Sequence, residues 1–321
     1  MRVLHVLGTL ACCLAVLALL WGSASLAGEG AISEEVAATA YALAAKAIGI
    51  SLGAEKPTVS RPEARISERA TGVGSVRKVQ SPHLSVDVDA HSGKIVRVLN
   101  EKAWHKSYAK AETARQEGKG AVPRRSPKHV IEAAENYVRS LGQSPTPEVK
   151  LRIMEFDAKG DCWNLGWVRY VNGYVFDEEA IGMSIDDQTG GLIHYNNSVT
   201  DIACTTDVSV SKEKARAIAR GRVSIIQASL LGGGSYEANE PEDPVLWIVY
   251  VNRIPNGEKA EPSARPQPLL PLRARLVYDF RYEFRYTGNE MVHRSVPPLN
   301  VWVDAATGEV VEGAYVPGRA A

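Results

Sequence analysis

One pattern occurs three times in this chain and limits the folds open to it. Residues 84–98 read LSVDVDAHSGKIVRV, residues 181–195 read IGMSIDDQTGGLIHY, and residues 299–313 read LNVWVDAATGEVVEG. Each is an apolar/polar alternation, then Asp, two variable residues, Ser or Thr, Gly, and a second apolar run. Alternation with a period of two marks a strand with one buried face. An Asp that opens a turn accepts hydrogen bonds from the backbone two residues on. A Gly that closes it takes positive φ without a Cβ clash. Asp89 and Gly93, then Asp186, Thr189 and Gly190, then Asp304, Thr307 and Gly308 are therefore expected to be structural turn residues of three β-hairpins. Asp187 has no counterpart, because Ala90 and Ala305 stand at that place in the other copies. That weighs against a paired-carboxylate mechanism, which needs two carboxyls on facing elements.

A helix signal precedes each corner. Ser33, Ser126 and Ser211 stand as N-caps, Pro127 takes the first helical position, and Gly142 ends the second helix. Helix followed by antiparallel strands, repeated, predicts an α+β fold of tandem modules, each a helix packed on an antiparallel β-sheet. The divisions expected are 28–110 for module 1, which fits the pattern least, 111–125 for a charged and Gly/Pro-rich linker, 126–206 for module 2, and 207–321 for module 3. Two Gly/Pro-rich stretches, LLGGGSYEANEPEDP and PNGEKAEPSARPQPLLP, read as long surface loops of module 3. Asn172-Gly173 predicts a tight hairpin, and ARLVYDFRYEFRY a long strand with one buried and one wet face.

Residues 1–27 read as a signal peptide. Arg2 precedes an apolar run from Val3 to Trp21, and Ser25-Leu26-Ala27 fits a small-x-small cleavage site. The expected location is secreted or cell envelope. The alternative is an uncleaved N-terminal anchor, which is also the only route to a membrane. The 37 Lys and Arg balance the 37 Asp and Glu, so charge gives no case for nucleic acid. Cys162 and Cys204 lie beyond the signal segment, and an exported chain could join them in a disulfide or keep them as two buried thiols.

The helix, strands and V-D-x-x-[ST]-G hairpin together resemble the PepSY domain. Trp163-x3-Trp167-x-Arg169-x2-Asn172-Gly173, followed by Ile185-Asp186-x2-Thr189-Gly190, is more similar to the YcdB/YcdC-type repeat of exported bacterial proteins. The likeness is best over 126–198, good at 208–227 and 274–313, and faint over 33–100. It implies tandem PepSY/cystatin-like modules, regulation of secreted peptidases or an envelope-associated role, and no catalytic residues.

Reactive motifs are not in evidence. H-E-x-x-H, G-x-S-x-G and C-x-x-C are absent. Ser209-x-x-Lys212 has the form of a nucleophile pair but sits at a helix start without its companion motifs, where a capping role suffices. No histidines pair at metal-ligand spacing, so no cofactor is expected. If Trp302 points away from Val301 and Val303 it is a candidate partner contact; the alternative is that another unit of the chain covers it. The expectation is a non-enzymatic exported protein that binds protein or peptide, through a sheet edge or the loops of module 3, and restrains a secreted peptidase. The alternatives are a structural or cell-wall adaptor without a peptidase partner and, more distantly, a hydrolase with a site between modules.

Overall fold

The computed structural model describes residues 32–51, 56–61, 63–64, 75–143, 148–200, 202–230, 236–239, 243–251, 273–286 and 298–311. The expected signal peptide, most of both predicted loops and Asp201 lie outside them. Among the described residues four helices, α1 (Glu34–Ala47), α2 (Glu101–Glu117), α3 (Pro127–Ser140) and α4 (Lys212–Leu230), pack on a large, mostly antiparallel sheet, so the fold is α+β. None of the described helices is long and apolar enough to cross a membrane.

Capping explains where the helices start. The Ser33, Ser126 and Ser211 hydroxyls accept the N–H groups of Val36, His129 and Lys214, which satisfies donors that a helix N-terminus otherwise leaves open.

The sheet branches at β8 (Tyr174–Asp186). Along one side β8 pairs β7 (Cys162–Val171), which in turn pairs β6 (Val149–Asp157). On its other side the two halves of β8 have different neighbours. The C-terminal half pairs β9 (Leu192–Asn197), and beyond it come β5 (Ile95–Asn100), β4 (Leu84–Asp89) and β3 (Ser75–Gln80). The N-terminal half meets β12 (Val245–Tyr250) at Val175↔Trp247, and beyond it β13 (Ala274–Tyr282) and β15 (Leu299–Asp304). Short strands join this sheet, β1 (Thr58–Val59) and β2 (Glu63–Ala64) on β3 and β10 (Cys204–Thr205) on β13, while β11 (Tyr236–Ala238) and β14 (Phe284–Tyr286) form a separate two-stranded sheet.

Each wing has one core. In the first, Ala37, Tyr41 and Ala44 of α1 and Val130, Ala134 and Val138 of α3 cover Val86, Val98, Tyr195, Met183 and Trp167. In the second, Ala215, Ala219 and Val223 of α4 cover Ile248, Tyr278, Phe280 and Val301. The period-two reading of β13 holds for one face, with Leu276, Tyr278, Phe280 and Tyr282 buried; on the expected wet face Arg281 is exposed, but Val277 is buried and Asp279 half-buried, and the strand ends at Tyr282.

Two sequence expectations are revised. The first two units do not carry separate sheets: β5 pairs β9, and their helices share a core. A half-buried sheet edge gains ladder hydrogen bonds and apolar cover by fusing with its neighbour. The linker drawn over 111–125 begins inside α2, which runs from the Asn100 cap to Gly118 in the left-handed conformation, so only its later part is a connection. No α2 side chain is buried. The helix lies across β9 on the face opposite α1 and α3, with Trp104 stacked obliquely on His194.

Candidate peptide-docking edge

The three corners share one geometry. Asp89, Asp186 and Asp304 each accept the N–H three residues on, at 2.7 Å in every case. The carbonyl of each Asp accepts the glycine N–H, and Gly93, Gly190 and Gly308 have φ of 72°, 73° and 79°. The hydroxyls of Ser92 and Thr189 donate to the same Asp oxygen, and that of Thr307 accepts from the N–H of Glu309. Asp186 therefore turns the chain.

The residue after each corner Asp holds the chain entering that unit's helix. The carbonyl of Ala90 accepts from Ile32, and that of Ala305 from Ser209 and Val210. In the middle unit this role passes to the Asp187 carboxylate, which accepts from Arg124 N at 2.7 Å, Arg125 N at 3.1 Å and the Trp163 indole at 2.8 Å. Asp161, at positive φ, joins the cluster and receives Arg124 and Lys110, both at 2.7 Å. Burial by itself would raise the Asp187 carboxyl; the Arg124, Trp163 and Arg125 donors outweigh it and hold the group below its usual range. Asp186 follows the same balance, with Thr189 and Lys110 opposing burial. An acid kept ionised by this many donors is poorly suited to proton transfer near neutral pH.

A second carboxylate works at the branch. Glu179 is fully buried where β8 divides. It accepts Arg169 at 2.6 Å and the hydroxyls of Thr200 and Tyr250. Arg169 stands on β7, Thr200 follows β9 and Tyr250 ends β12, so one side chain ties the two wings to the shared strand. Arg169 and Asn172-Gly173 of the Trp/Arg/Asn-Gly block thus serve this joint and the β7–β8 hairpin, where Asn172 and Gly173 both take positive φ. Sequence reading passed over Glu179. Its signal is a run of three acids, Asp177-Glu178-Glu179, interrupting a largely apolar strand.

Cys162 and Cys204 are free thiols. Cys204 lies within the field of Arg169, and seven residues of β7, roughly 23 Å at strand rise, separate Arg169 from Cys162. Burial pushes each thiol up to about 11. Trp302 does point away from Val301 and Val303, but its indole nitrogen is buried beside Asp279, where it closes no hydrogen bond of normal geometry. It is only half-buried as a residue. Among the described residues no group of three His, Cys, Asp or Glu is placed to hold a metal ion.

Among the described residues, one feature open to a partner is β6. Among the described residues it pairs β7 and nothing else, so one row of its backbone donors and acceptors faces outward. A bulge between Leu151 and Ile153 twists it, and Ile153 stands 52% exposed over Gly166. On the helix side, a cleft of about 220 Å³ opens between β6 and α3. Ile131, Val138, Val149, Leu151, Trp167 and Ile181 line it, with Glu135 at its border. Ligand pockets for small molecules run to about 300–1,000 Å³, so this cleft suits one or two side chains of an extended chain. The sequence reading passed over VKLRIMEFD, because its bulge breaks the period-two alternation.

No family model matches the chain, and no curated protein matches it.

Proposed function

We propose that this is an exported, non-catalytic protein of PepSY-like organisation that binds an extended segment of a protein or peptide along β6 and thereby restrains a secreted peptidase. The observation that supports this reading is the coincidence of a free edge strand with an apolar cleft beside it. Main-chain pairing along an edge supplies affinity, and alternate side chains entering a pocket supply selectivity. The acids that could have suggested a hydrolase, Asp186, Asp187 and Asp161, are spent on a turn and a clamp.

The test is a casein digestion by a secreted metallopeptidase with increasing amounts of this protein. The expected result is saturable slowing of digestion, weakened about tenfold by Leu151→Asp at the cleft while the far-UV spectrum and melting curve stay close to wild type. Hydrolysis of casein by the protein alone would overturn the reading. Undiminished digestion at every ratio would remove the peptidase as partner.

A further inference from the structure

We infer that β6 pairs with β6 of a second copy of this chain, joining two sheets about a twofold axis through Met154. This goes beyond the peptide-capture reading, since it needs only the strand itself. Lys150 and Arg152 occupy the first half of β6, and Glu155 and Asp157 the second. Two such strands laid antiparallel bring opposite charges together, which is the favourable cross-strand arrangement.

The faces also agree. Leu151 lies opposite Trp167, Met154 opposite Leu165 and Phe156 opposite Trp163 in the β6–β7 ladder, so these three point to the helix side. Lys150, Ile153, Glu155 and Asp157 point to the reverse. In a strand without a bulge, Leu151 and Phe156 would point to opposite faces. The register shift between Leu151 and Ile153 puts them on one face. Pairing Met154 with Met154 of the second copy then sets Leu151 against Phe156 and Lys150 against Asp157, each pair on a common face. Glu155 meets the bulged Arg152-Ile153 step. Phe156 of the second copy arrives beside Leu151, at the mouth of the cleft.

Charges and a bulge are ordinary defences of an edge strand against unwanted pairing. Here their order favours an antiparallel partner with the complementary charge order, which a second copy of this strand supplies. The existing contacts of these side chains are compatible with that. Lys150 lies over the Tyr170 ring at 5.2 Å, Arg152 meets Asp177 at 3.1 Å, and Asp157 gives one oxygen to the Lys159 N–H. One short strand per partner falls at the small end of specific interfaces, so the dissociation constant should be micromolar.

Sedimentation velocity of the full chain over a concentration series tests the pairing. A monomer–dimer equilibrium is expected, weakened by salt. Lys150→Glu and Asp157→Lys should each weaken it about tenfold, since each creates two like-charged pairs across the twofold. The double variant K150E/D157K should return to within about threefold of wild type, a recovery that misfolding does not produce. A monomer at the highest concentration overturns the inference, as does a dimer indifferent to the single changes, or a double variant no better than the singles. Peptidase restraint is read separately, so failure here leaves that reading standing.

Discussion

Asp187 and Asp279 are two carboxylates set beside a tryptophan indole, and they end in opposite states. Trp163 donates to Asp187 at 2.8 Å, and two backbone N–H groups and the Arg124 guanidinium join it. Trp302 stands directly across the ladder from Asp279, and its N–H favours the carboxylate, yet neither it nor the Oδ1 of Asp279 closes a hydrogen bond of normal geometry. Burial pushes Asp279 up to about 6, with Trp302 and Arg281 pulling weakly the other way. Asp187 is held below its usual range. The lesson is that donor count, more than burial, decides whether an acid in this fold is a fastener or a weak point.

The largest effect should come from removing the fastener. Asp187→Ala leaves the Trp163 indole and two backbone N–H groups without an acceptor at a site 1% exposed, and unmade buried hydrogen bonds to a charged group cost about 1.5–3 kcal/mol each before relaxation. A loss of about 3 kcal/mol is expected in urea unfolding, with the N-terminus of α3 the first region to lose amide protection in hydrogen exchange. Asp279→Ala at pH 8 should cost less than about 1 kcal/mol, because it removes a charge that has no closed hydrogen bond on Oδ1. Equal losses at the two sites would dissolve the distinction.

Acidity should separate them further. A carboxyl with a raised folded pKa binds more protons folded than unfolded, so its contribution to stability falls as pH rises from about 4 to about 6 and then stays flat. Asp279→Asn should therefore stabilise the protein by about 1–2 kcal/mol at pH 8, taking 1.36 kcal/mol per pKa unit and allowing for a partly wet site, and change little at pH 4. Asp186, Asp187 and Asp304, all held low, have the reverse sign. Their contribution is complete above about pH 4 and disappears as pH falls through their folded values. Denaturant midpoints of the two variants measured from pH 3 to pH 8 check both slopes. A single shared slope would show that neighbouring donors do not set these states.

Local chemistry made the corners readable, since Asp, Ser or Thr and Gly each act within five residues. The caps at Ser33, Ser126 and Ser211 were readable for the same reason. What escaped depends on contacts distant in sequence. Glu179 meets Tyr250 from the other wing, and Asp187 meets Arg124 from the far end of a helix and a loop. The fusion of β5 with β9 left no mark either, because an edge strand and an internal strand can share one alternation. Module 1 looked least like the others in sequence, yet Ile32 docks on Ala90 as Val210 docks on Ala305. Main-chain bonds of that kind leave side chains free to vary.

The smallest expected effect compares the corner glycines with a strand glycine. Ala at Gly190 or Gly308 meets a left-handed backbone, which costs about 1 kcal/mol. Added side-chain effects differ between them. A Cβ at 190 would lie 2.9 Å from the Arg125 guanidinium carbon, the movable end of a long side chain, while at 308 it would lie 3.3 Å from the Ile218 methyl under α4. Displacing Arg125 disturbs its 2.9 Å bond to the Asp187 carbonyl, so Gly190→Ala should lose its excess over the backbone cost in an Arg125→Ala background. Gly308→Ala should be unaffected by that second change. At Gly182, where a Cβ meets nothing within 4 Å, the same substitution should leave the urea midpoint almost unmoved. If all three behave alike, positive φ is not what these corners require of their glycines, and the turn chemistry that links the three units would have to lie in the aspartates alone.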